Sequence, residues 1–128
     1  MPQTNLSNII TKCTEVTPVS GVATINYERG LTYTIAGNIS AIRLVDANDV
    51  LIEPSETDDT HMWWIRAPRG SSFVVTHLDA GASAGTKISC EVIGDDALVD
   101  ARKVACSYEW DPAAEQWQIR LDGWQPAP

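Results

Sequence analysis

Two histidines and seventeen acidic residues define the metal and acid–base chemistry open to this chain. His77 and Asp79 stand two apart in a run that reads as a strand, so their side chains share a face. His61, beside Asp58 and Asp59, offers the further ligands that a zinc site or a two-histidine, one-carboxylate iron site requires. Nothing in the sequence joins the two segments, and the expectation is surface histidines with no metal or organic cofactor. The pairs Asp58-Asp59 and Asp95-Asp96 hold potential calcium ligands or glycosidase carboxylates, but loop positions fix no carboxylate separation. They read as solvated charges. Ser71-Ser72 has no identifiable base, and the chain carries no GxSxG, no phosphate-cradling glycine loop and no HExxH, so no enzyme is expected. Cys13, Cys90 and Cys106 form an odd set without CxxC spacing, which favours buried free thiols over a disulfide framework or zinc.

The five tryptophans are the other residues able to do work at a surface. Trp63 and Trp64 are adjacent on a strand and must point to opposite faces, so one of them is exposed or covered by a partner. Trp110 and Trp117 flank a turn, and Trp124 sits in a proline-bounded tail. Indole rings stack on sugars and also anchor protein interfaces, so residue type does not separate the two uses.

These residues need elements to hold them, and the composition points to strands. Ten Val, 11 Ile and 11 Thr against 7 Leu favour a pleated surface. Alternating runs predict about nine short strands: 22–27, 31–35, 41–46, 50–53, 61–67, 72–78, 86–93, 104–110 and 117–122. Arg29-Gly30 is read as a tight turn, and Asp111-Pro112 as the turn of a closing hairpin with an aromatic face. Only Asp95 to Arg102 has a helical pattern, of one or two turns. The expected core includes Ile25, Tyr33, Ile35, Leu44, Val74, Ile88, Val92, Val104, Cys106, Ile119 and Leu121.

A chain of 128 residues with 44% apolar content suits one domain with a core that needs no staples. The expected division is an N-terminal arm, 1–14, a β-domain, 15–122, and a C-terminal tail, 123–128. Leu6, Ile9, Ile10 and Trp124 are apolar residues in otherwise polar ends, which suits contact with a partner. The net charge of -8 disfavours nucleic-acid binding. No run of about 18 apolar residues could cross a bilayer, and MPQTNLSNII lacks the pattern of a signal peptide, so a cytosolic origin without membrane contact is expected.

FVVTHLDAGASAGTKI (73–88) followed by YEWDPAAEQWQIRL (108–121) resembles a pattern in bacteriophage virion proteins, namely tail-fibre modules and capsid decoration, or cement, proteins. The matching residues are Val74 to His77, Gly81 to Lys87, Tyr108 to Asp111 and Trp117, and TYTIAGNISAIRL (32–44) is similar to strand repeats of the same proteins. The resemblance spans about two-thirds of the chain through strand-and-turn signatures, not catalytic ones. It implies an all-β antiparallel sandwich or jelly-roll-like domain with short arms. It also implies a decoration protein on the outer capsid surface, binding the major capsid protein, commonly as a homotrimer. Leu6, Ile9, Ile10, Trp63, Trp64 and Trp124 are then the expected partner contacts. The alternative is a tail-fibre or receptor-binding module that stacks host-surface glycan on Trp63 or Trp64 and on Trp110 and Trp117.

Overall fold

The computed structural model describes residues 14–27, 31–54 and 61–128, which form ten strands and no helix. Leu6, Ile9, Ile10, Cys13, the Arg29-Gly30 turn, Asp58 and Asp59 lie outside the described residues. The strands are β1 (Thr14–Val16), β2 (Val22–Asn26), β3 (Thr32–Ile35), β4 (Ala41–Val45), β5 (Met62–Arg66), β6 (Phe73–Val75), β7 (Ile88–Ser89), β8 (Ala97–Val99), β9 (Val104–Asp111) and β10 (Gln116–Leu121). A six-stranded sheet has the order β1-β3-β5-β9-β10-β7, and β2-β4 and β6-β8 form two-stranded sheets.

The chain is all-β, but the sheets are mixed where antiparallel pairing was expected. β1-β3, β3-β5, β2-β4 and β7-β10 are parallel. The cause is that the chain changes sheet at each step from β1 to β5, so alternate strands return to the same sheet running the same way. Thr14 pairs with Tyr33 and Val22 with Ala41, so both pairings join residues 19 apart (14 to 33, 22 to 41). One winding of the chain therefore lies on the next. The corners stack with the same offset: the Gly21 carbonyl accepts the Ser40 N–H at 2.7 Å, and a Cβ on Gly37 would lie 3.6 Å from Pro18. Gly21 has φ +80°, and a Cβ there would meet Ser40 Oγ at 2.8 Å, so this corner requires glycine. The later strands reverse: β9 runs antiparallel to both β5 and β10, and β8 to β6.

One hydrophobic cluster joins all three sheets, with Ile25 and Leu44 from β2-β4, Phe73 and Val99 from β6-β8, and Tyr33, Trp63, Cys106 and Ile119 from the large sheet. Two expected core residues do not belong to it. Val74 is half-buried because β6 turns Phe73 and Val75 inward, and Val92 is 64% exposed because the chain turns after Ser89, with Gly94 N–H bonded to Cys90 O. The segment expected to be helical is β8, with Ala97 and Val99 buried. It has backbone partners on both sides, β6 and the tail, which satisfy its peptide groups better than one isolated helical turn could.

Candidate functional site

Among the described residues, the histidines and acids do not converge. His77 Nδ1 accepts the Cys90 N–H at 2.9 Å, and the His77 backbone N–H donates to Asp96 Oδ1 at 2.9 Å, so this half-buried residue, through ring and backbone together, ties the chain after β6 to the 90–96 turn. Asp79 Oδ1 accepts the Gly81 N–H within its own turn. His61 packs edge-on against Tyr27 and Tyr108 instead. Among the described residues, no three His, Cys, Asp or Glu side chains are arranged to hold a metal ion. Burial pushes the Cys90 thiol up to about 11 and raises Cys106 as well, so both are kept protonated and poor as nucleophiles.

The tryptophans divide sharply. Trp63 is fully buried and leaves the set of expected partner contacts, because β5 directs it with Ile65 into the core. Trp64 takes the outer face, half-buried, with Lys103 Nζ 4.7 Å from its ring centroid. Trp110 and Trp117 are directly paired across the β9-β10 hairpin, their centroids 5.6 Å apart at 68°. Trp110 is 41% exposed and Trp117 is half-buried. β9 is the longest of the ten described strands and pairs with β10 up to its last residue, so the ladder holds this aromatic pair in register near the hairpin tip.

The C-terminal residues do not extend from the domain as the expected arm. They lie back along β8: Leu98 N–H donates to Gln125 O at 2.9 Å, Ala127 N–H donates to Asp96 O at 2.9 Å, and Gln125 Nε2 donates to Asp100 Oδ2 at 3.0 Å. The unsatisfied edge of β8 is what holds them, and buried Gly123 lets the chain approach Ala97 and Ile93 closely enough to reach it. Trp124 stays 44% exposed, with the Arg102 guanidinium 3.8 Å from its ring centroid. Arg102 also pairs with Asp100 at 2.9 Å, and this bond holds the Asp100 carboxyl at about 2.

β9 thus connects two tryptophan-bearing ends. One carries Trp110 and Trp117, and the other carries Trp64 with Lys103 and Trp124 with Arg102. Between them, the outer face of β9-β10 is acidic: Arg120 lies within 4.0 Å of Glu91, Glu109 and Asp122. Burial and the neighbouring Glu91 raise the Glu109 carboxyl. The sequence reading found the tryptophans but missed Arg102 and Lys103. Their adjacency at the start of a strand carries no signal until β5 and the tail are placed beside them. No protein-family model, curated protein or solved structure matches this chain.

Proposed function

We propose that this chain is a non-enzymatic bacteriophage virion protein of the capsid-decoration kind that its sequence resembles. In this reading it binds the outer shell through the major capsid protein and stabilises it. The observation that carries the reading is the Trp110–Trp117 pair, a large indole left 41% exposed near the tip of the β9-β10 hairpin. A buried Trp anchor contributes about 2 kcal/mol or more at an interface. Trp64 pairs with Ala105, five residues from Trp110, so the second tryptophan-bearing end lies roughly 17 Å away along β9, at about 3.4 Å per residue. Two separated anchors suit a protein that straddles a joint between shell subunits. We read the shared core as the interior of a two-layered sandwich, with β2-β4 and β6-β8 forming the layer opposite the six-stranded sheet. Leu6, Ile9 and Ile10 are proposed as further shell contacts, and a homotrimer on a three-fold position is proposed from the resemblance alone. The test is binding of the purified protein to phage capsids stripped of decoration: Trp110→Ala should weaken binding while the domain stays folded.

The same exposed indole supports a second reading, a glycan-binding module, because a Trp face can stack on a pyranose ring. A glycan array separates the two: saturable sugar binding lost in Trp110→Ala supports the second reading, and capsid binding without sugar binding supports the first.

A further inference from the structure

Four aromatic rings, Tyr27, His61, Tyr108 and Trp63, touch in a closed cycle. Their successive centroid distances are 5.0 Å, 6.1 Å, 5.7 Å and 6.0 Å, and every contact is edge-to-face. Strand register places three of them: Met62 pairs with Ser107 and Trp63 with Cys106, which sets His61 opposite Tyr108 with Trp63 diagonal to it on the inner face. Tyr27, at the end of β2, closes the cycle from the other sheet.

Three of these rings carry buried polar atoms with no hydrogen-bond partner: His61 Nδ1, Trp63 Nε1 and Tyr108 Oη. Trp63 is 0% exposed and Tyr108 8%. Tyr27 cannot swing inward to help, because its hydroxyl accepts the Met62 N–H at 3.1 Å and donates to the Met62 carbonyl at 3.4 Å. Leaving one such polar group unsatisfied costs as much as breaking a hydrogen bond, and three neighbouring ones form an unusual concentration.

We infer that the Tyr27–His61–Trp63–Tyr108 quartet is a binding site for one hydroxyl-type oxygen, bonded by Trp63 Nε1, Tyr108 Oη and His61 Nδ1. The chemistry of the three atoms selects the guest. An indole N–H only donates, so the guest must accept; a phenol does either, and an imidazole nitrogen does either according to its tautomer. An oxygen that both accepts and donates satisfies all three, whereas a cation leaves the indole N–H unpaired. Two sources share this chemistry, water and the hydroxyl group of a small neutral ligand. Tyr27 and His61 are only half-buried, so the quartet reaches the surface at these two residues.

The test begins with Tyr108→Phe, which removes one oxygen and preserves the ring. If that oxygen holds a guest, the melting temperature falls by about 3–5 °C. If it is an unpartnered buried hydroxyl, its removal leaves the melting temperature unchanged or raises it, and the inference fails. A high-resolution crystal structure of the full chain gives an independent readout: an oxygen within about 3.2 Å of both Trp63 Nε1 and Tyr108 Oη supports the site, and none there overturns it. The Trp63 indole proton, followed by NMR during titration with glycerol and with glucose, separates the sources. A saturable shift identifies a ligand hydroxyl, and an unmoved resonance beside a crystallographic oxygen identifies water.

Discussion

Arg102 binds two residues at once: its guanidinium lies 3.8 Å from the Trp124 ring centroid, while Nη2 sits 2.9 Å from Asp100 Oδ2. Asp100 in turn accepts from Gln125, so one carboxylate and one guanidinium tie both sides of the tail to the β8-β9 turn. The Asp100 carboxyl is lowered from 3.8 to about 2, and such a group contributes stability above its unfolded value that is lost as pH falls through the folded one. The tail should therefore loosen between about pH 4 and pH 2, seen as a change in Trp124 emission and faster C-terminal proteolysis. Asp100→Asn should show the loosened state already at pH 5; an identical acid profile in that variant would disprove the tie.

Adjacent tryptophans should differ in their effect on stability. Trp63→Ala empties a fully buried site and should cost about 3–5 kcal/mol in denaturant unfolding, whereas Trp64→Ala on the half-buried outer face should cost about 1 kcal/mol. Equal losses would contradict the placement of β5.

The corner glycines offer a similar contrast. Gly21 and Gly70 both have positive φ, but only at Gly21 does an added Cβ meet a neighbour, Ser40 Oγ at 2.8 Å. Gly70→Ala should cost about 1 kcal/mol for backbone strain alone, and Gly21→Ala clearly more, because the next winding must also move.

The alternation of β-branched residues made the strands legible in the sequence, and with them most of the core, because side-chain direction on a strand is local information. Val92 and Val74 failed for opposite reasons: a turn ended β7 before Val92, and Phe73 took the inner face from Val74. Pairing was not legible. The tight turn read at Arg29-Gly30 and the observed winding share one hydrophobic pattern, and the 19-residue register of β1 on β3 and of β2 on β4 is what distinguishes the winding. The Trp110–Trp117 pair was readable because a hairpin is local, while the cation partners of Trp64 and Trp124 depend on contacts between distant segments.

Both described thiols should be silent. Cys90, raised from 9.0 to about 11, and Cys106 are protonated and buried at neutral pH, so neither should react with a thiol reagent at pH 8 until the protein unfolds. Their linked contribution holds below the unfolded value and disappears as pH rises through the folded one, so stability should fall above about pH 9. Rapid labelling of either residue in native protein would contradict their burial.

The most direct test of the functional reading is the occupancy of stripped phage capsids by the full chain and by Trp110→Ala, measured beside their melting temperatures. The account requires saturable binding by the full chain and at least a tenfold loss in the variant, the equivalent of about 1.4 kcal/mol, with the fold intact. Undiminished binding by folded Trp110→Ala, or no capsid binding by the full chain, would contradict it.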